Sequence, residues 1–407
     1  MRKGKLNRKR QEIEHYFRVA QMITKEAKTM NNFMKKCIAF IKKETVLSIA
    51  LILAVISSLI VLPDAEYLGY IDFRTLGILF CLMAVMAGLQ KIGVFGRIAG
   101  KLLEKVKSVR ALVLILVLLC FFFSMVITND VALITFVPFT FTVLRMTGEE
   151  QAEKMAVPVV VMQTIAANLG SMLTPIGNPQ NLYLYGQSGM GLGAFVKMML
   201  PYSLLSLVML MLWCFSQKGG YVKVENITGN DALSGHRKEL TVYLLLFICC
   251  LLTVARVLPY GITLIVVIAA VFWVDRQVLV KVDYALLMTF VGFFIFIGNM
   301  GRIPAFCSFL ENMIAGHEVL TAVISSQVIS NVPAALLLSG FTNDYAALIV
   351  GTNLGGLGTL IASMASLISF KYMGQENKGR KGVYMIYFTV ANLIFLAVLL
   401  AYHFYIN

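Results

Sequence analysis

The side chains in this sequence best suited to hold a small solute are amides and hydroxyls. The densest cluster is "NLGSMLTPIGNPQNLYLY", Asn168–Tyr185, where two prolines, three asparagines, two glycines, a serine and a threonine interrupt a lipid-compatible run. Pro175 and Pro179 remove backbone donors and break a helix. Gly170 and Gly177 let the chain turn and approach a ligand closely. A break of this kind leaves half-helix ends, whose N-termini offer N–H groups to anions and whose free carbonyls can hold Na+. Asn168, Thr174, Asn178 and Asn181 add neutral donors and acceptors. The rival reading is a kinked structural helix with small residues for packing.

A second cluster matches the first. "NLGSMLTPIGNPQNL" (Asn168–Leu182) aligns without a gap on "NLGGLGTLIASMASL" (Asn353–Leu367), pairing Asn168 with Asn353, Gly170 with Gly355 and Thr174 with Thr359. Gly356, Gly358 and Ser363 complete the second copy. Each cluster follows a short apolar pair with a polar middle: "ITNDVALITF" (Ile127–Phe136) and "ISNVPAALLL" (Ile329–Leu338). "GLQKIGVF" (Gly88–Phe95) echoes "GNMGRIPAF" (Gly298–Phe306) further upstream. Chance accounts for matched leucines but not for matched Asn, Gly and Thr at equal spacing. Thr128, Asn129 and Asp130 at one tip, and Ser330 and Asn331 at the other, join the candidate site.

Asp130 is the only acidic residue between Arg110 and Glu149. A carboxylate at membrane depth costs about 2.5–3.5 kcal/mol on insertion scales and is functional by default. Beside an anion site an ionised Asp repels the anion, so Asp130 either binds a cation or carries a proton. An equal rival is an N-cap for the second limb, where Asp is favoured.

The elements that must position these residues are membrane helices. Of the 407 residues, 59% are hydrophobic and only 14% charged, against about 25% in soluble domains. Apolar runs of spanning length recur, beginning with Thr45–Leu62. The net charge of +14 is not a nucleic-acid signal: 13 of the 35 Lys and Arg fall in the first 44 residues and most others in short loops. With the N-terminus in the cytoplasm and the C-terminus outside, all basic residues but Arg74, Lys197, Arg256 and Arg302 fall inside. The expected fold is all-α and polytopic, with about 9–11 membrane segments. It has two inverted repeats, each holding a re-entrant hairpin and a broken helix. Residues 1–44 form a basic amphipathic segment or a loose tail, 45–216 the first repeat, 217–260 a loop plus linking span, and 261–407 the second repeat. "NIT" at Asn226 falls in the cytoplasmic loop and reads as chance.

Seven scattered cysteines and four distant histidines give no metal spacing and no catalytic constellation. An enzyme is therefore unsupported, and a passive scaffold needs no polar breaks repeated in inverted order.

At "TNDVALITFVPF", "NLGSMLTPIGNPQN", "SQVISNVPAALLL" and "GTNLGGLGTLIASMASLISFK" the membrane portion, Thr45 to Tyr402, resembles the ion-transporter superfamily. That superfamily holds arsenite permeases, sodium/proton antiporters of the same fold and divalent-anion/sodium symporters. The chain is most similar to arsenite-permease-like and citrate-transporter-like bacterial anion permeases. The resemblance implies hairpin tips that meet the helix breaks near the bilayer midplane. In the dicarboxylate branch each tip carries Ser-Asn-Thr; here Asp130 and Val332 stand third, so two hydroxyl donors are missing. The expected function is Na+- or H+-coupled alternating-access transport of a small anion or oxyanion across the cell membrane. Sodium/proton exchange and arsenite or antimonite efflux are the alternatives. No resident cofactor or metal is expected beyond Na+ near Asn129, Asp130 and Asn331. Related carriers imply a homodimer.

Overall fold

The computed structural model describes residues 44–104, 106–217, 220 and 235–406, and within them every regular element is helical. The N-terminal segment up to residue 43 and the Asn226 tripeptide lie outside the described residues. In chain order the main helices are α1 (Thr45–Ile60), α2 (Phe73–Ile92), α3 (Val94–Leu103), α4 (Val109–Ile127), α5 (Asn129–Arg145), α6 (Glu149–Ser171), α7 (Pro179–Ser188) and α8 (Leu192–Ser216). A linking helix α9 (Arg237–Val254) follows. The same order then recurs as α10 (Tyr260–Asp275), α11 (Tyr284–Gly301), α12 (Pro304–Ile314), α13 (Glu318–Ile329), α14 (Asn331–Ser339), α15 (Tyr345–Leu354), α16 (Met364–Glu376) and α17 (Lys381–Ile406).

Short polar side chains set the helix starts. Asp72 accepts from Thr75 N at 2.9 Å, Ser108 from Ala111 N at 3.2 Å, Asp283 from Leu286 N at 2.9 Å and Asp344 from Ala347 N at 2.9 Å. Each satisfies one of the free N–H groups that a helix start leaves. Gly93, at φ 80°, ends α2, because that conformation costs a glycine nothing. Among the described residues six segments are long and apolar enough to cross a membrane: α2, α4, α8, α10 with its short continuation to Lys281, α11 and α17. The outward faces of these helices carry Leu, Ile, Val and Phe, as lipid contact requires. This is a polytopic membrane fold.

The basic stretch after Gly93 begins with the amphipathic helix α3. It buries Phe95, Ala99 and Leu103. Its matched partner α12 starts at Pro304, where the missing N–H costs nothing.

Packing sorts the helices into two bodies. In the first, α1 lies along α11, and α2 packs on α9 and α10. The second holds α4 to α8 with α13 to α17. The principal helix contacts between the bodies run from α11 to α14 and from α2 to α7. The paired glycines of the upstream motif serve the first body alike. A Cβ on Gly88 would lie 2.2 Å from the Tyr243 ring, and one on Gly298 would lie 2.3 Å from the Tyr70 ring.

Candidate functional site

Thr128 alone joins α4 to α5, and Ser330 alone joins α13 to α14. Their backbones coincide: φ 72° and ψ 152° at Thr128, φ 74° and ψ 154° at Ser330. This region is nearly reserved for glycine and costs about 1–3 kcal/mol per residue. The surroundings hold both tips in place. The next N–H in each case donates to a carbonyl of a helix break: Asn129 N to Gly177 O at 3.0 Å, and Asn331 N to Ala362 O at 2.9 Å. Thr128 Oγ1 accepts from Val131 N at 3.5 Å and is the cap of α5. Asp130 is therefore not the cap. Its Oδ1 is buried with no hydrogen-bond partner among the described residues.

The breaks run from Met172 to Asn178 and from Gly355 to Ser363. Pro179 does not break its helix; it opens α7 behind the N-cap Asn178, whose Oδ1 accepts from Asn181 N at 2.9 Å. Ser363 caps α16 in the same extended conformation and accepts from Ala365 N at 3.2 Å. Pro175 is buried within the first break. Asn168 and Gly170 are still helical, in the last turn of α6.

The two halves interlock through asparagines. Asn168 Oδ1 accepts from Asn129 Nδ2 at 3.1 Å and from Ser363 Oγ at 3.0 Å, while its Nδ2 donates to Gly356 O at 3.4 Å. Asn353 answers from the other side. Its Oδ1 accepts from Asn178 Nδ2 at 3.0 Å, and its Nδ2 donates to Asn181 Oδ1 at 2.6 Å. Asn129 and Asn331 are 5% and 4% exposed. The Asn331 amide carries no side-chain hydrogen bond among the described residues. It lies against Gly356, where an added Cβ would sit 3.0 Å from Nδ2. A chain of contacts from Asn129 through Asn168 and Gly356 to Asn331 thus joins both tips.

Other expected site residues do packing work. A Cβ on Gly170 would fall 2.0 Å from Phe121 O and 2.6 Å from Ser124 Oγ; one on Gly355 would fall 2.6 Å from Ser326 Oγ. These glycines admit the hairpin limbs and not a ligand. Gly177 folds against Ser171 O. Thr174 Oγ1 donates to Met125 O and Thr359 Oγ1 to Gln327 O, each three residues before a tip, so the threonines fasten break to limb.

Three residues escape a reading by motif. Gln327 holds the second break, with Nε2 donating to Gly355 O and Leu357 O at 2.9 Å and Oε1 accepting from Thr359 N at 2.8 Å. A lone amide in an apolar limb was the available signal. Gln180 Nε2 and Ser366 Oγ, just beyond the breaks, are buried without partners among the described residues. Asp130 Oδ1 and the Asn331 side-chain amide likewise lack hydrogen-bond partners among the described residues. Asp130 is the one charged member of this set.

One cavity measures about 650 Å³ and another about 590 Å³. The second leads to the site. It runs between α1 and α11 of the first body and α14 and α16 of the second, from Glu44, Asp283, Lys371 and Lys381 at its mouth to Ser330 and Val332.

The sequence model described as Citrate transporter matches residues 37–346. An uncharacterized transporter of Methanocaldococcus jannaschii is 32% identical over 346 residues, covering 84% of this chain and 92% of that protein. The inner membrane protein YbiR of Escherichia coli is 32% identical over 307 residues, covering 74% and 80%. A putative arsenical pump membrane protein of Bacillus subtilis is 23% identical over 368 residues, covering 76% and 83%.

Proposed function

The chain belongs to the citrate transporter family and is a multi-pass membrane transporter, and we propose that it carries a small oxyanion or oxyacid by ion-coupled alternating access. The observation that carries this is the reciprocal asparagine lock, in which Asn168 reaches the second break and Asn353 reaches the first. Irregular backbone at membrane depth is tolerated where it is buried in protein or lines a polar cavity. Two such breaks meeting two hairpin tips supply carbonyls, N–H groups and amides around one place, the arrangement from which secondary transporters build their sites.

The matched local geometry supports an inverted repeat, with one hairpin entering from each side. The charge distribution supports a cytoplasmic mouth for the 590 Å³ cavity, and with that orientation the cavity is the inward-open path. Substrate leaves or enters there, and the body holding both hairpins moves against the other. Asp130, present at one tip where the other has Val332, is the coupling carboxylate. It takes a proton or Na+ in step with the solute.

A second reading concerns the charge of the cargo. Among the described site residues no Lys or Arg faces the solute, and Asp130 is acidic. Neutral hydroxylated oxyacids suit such a site, and the name of the Bacillus relative points the same way. Flux into proteoliposomes over citrate, succinate, sulfate, arsenite and Na+/H+ distinguishes the readings. Asn129→Ala and Asn331→Ala are each expected to abolish flux of the responding solute with expression intact. Normal transport by both variants would remove the site.

A further inference from the structure

Arg256 is one of the few basic residues outside the cytoplasmic charge pattern, and one of three non-glycine residues with positive φ among the described residues, at 64°. The other two are the hairpin tips. Strain of this kind persists only where the surroundings over-determine it. Arg256 follows α9, in the first body, yet its guanidinium is bound to the second. Nη2 donates to Tyr185 O at 3.1 Å and Nη1 to Gly189 O at 3.1 Å, and the group lies over the Tyr185 ring at 5.2 Å. These partners are the C-terminal end of α7, the outer half of the first broken helix. The end carbonyls and the negative end of the helix dipole favour a cation there. A second contact lies beside it: Gln187 Nε2 donates to Asp72 Oδ2, the cap of α2, at 3.0 Å. At the opposite end the same two bodies stand apart around the inner cavity, with Thr45, Ala285 and Leu286 on one wall and Ser330, Met364 and Leu367 on the other.

We infer that Arg256 is a positioning residue for the transport cycle: its grip on the end of α7 latches the outer side shut while the inner cavity is open. The latch rests on the alternating-access reading above. The outward-open state requires the end of α7 to leave both Arg256 and Asp72, so these contacts stabilise one state selectively. A ligand or contact shifts a two-state equilibrium only by its differential interaction with the states. This one is differential because its two partners sit on different bodies.

The test is the accessibility of the far side. In a cysteine-free background, Ala285→Cys places a thiol in the inner cavity for an impermeant maleimide applied from the cytoplasmic face. Adding Arg256→Ala is expected to lower the inward-open to outward-open ratio by about tenfold, the factor that roughly 1.4 kcal/mol makes, and so to slow labelling. Arg256→Lys, which keeps one cationic donor, is expected to fall between. Gln187→Ala gives a smaller change in the same direction and guards against a folding defect at Arg256. A cysteine at Glu150, exposed and outside the lining of that cavity, serves as the fold control and labels equally in all variants. Unchanged labelling of Ala285→Cys in both Arg256→Ala and Gln187→Ala would overturn the latch. If Asn129→Ala still abolished flux, that result would leave the transport reading standing. Slowed labelling with normal flux by both asparagine variants would instead keep the latch and sink the site.

Discussion

At the residue scale the site is a set of amides whose duties differ although their sequence copies match. Asn129 is bound to Asn168, whereas the Asn331 amide has no side-chain partner among the described residues. Val332 stands where the first tip has Asp130, and this breaks the symmetry chemically. Because Thr128 caps α5 instead, the Asp130 carboxylate has no structural duty among the described hydrogen bonds, and a buried carboxylate oxygen without a donor is costly unless it is used. Asp130→Asn is therefore expected to change the dependence of flux on pH or on Na+ while leaving thermal stability close to that of the parent. Coupling that stays the same, measured as flux against each ion gradient, removes the carboxylate from the mechanism. Asn129, Asp130 and Asn331 could be found from sequence because polar residues in apolar runs stand out. Gln180 and Ser366 could not, because their lack of partners is a property of the assembled site.

At the element scale, close approach decides whether a hairpin can seat on its broken helix. Limbs of 12 and 9 residues in the second hairpin reach about 18 and 14 Å, well short of a hydrocarbon core about 30 Å thick. The first pair, 19 and 17 residues, is long enough that length alone does not distinguish a hairpin from two crossings. Each hairpin reaches its break over a glycine. Gly170→Ala and Gly355→Ala are each expected to destabilise the protein by about 1–3 kcal/mol, the cost of overpacking a close contact. Melting in detergent would show this, and an unshifted midpoint for both would mean that the limbs do not lie where the glycines place them. The repeat of Gly170 at Gly355 was visible in the alignment. Its cause was not, since a glycine beside a break reads equally as a hinge, a ligand approach or a packing notch.

At the scale of the whole molecule, two bodies share few contacts, and the site lies within one of them beside their boundary. That division suits a carrier, because one body can move while each keeps its own packing. An inverted arrangement, as proposed above, predicts that matched elements face opposite sides of the membrane. A cysteine at His317, before the second hairpin, is expected to react with an impermeant reagent from outside, and one at Lys107, before the first hairpin, from the cytoplasm. Labelling of both from a single side would exclude the arrangement.

The sequence by itself determined the class of the molecule, its repeated motifs and the polar interruptions that mark the site. Composition, charge placement and motif spacing are properties of the chain and need no fold to be read. Only the tertiary structure decided which of those residues face one another. Asn168 and Asn353 each complete the opposite half, Thr174, Thr359 and the paired glycines turn to packing, and Arg256 reaches across to α7. The reason is physical: such pairings join positions far apart in the chain. They exist only once helix packing has brought the two halves within hydrogen-bonding distance.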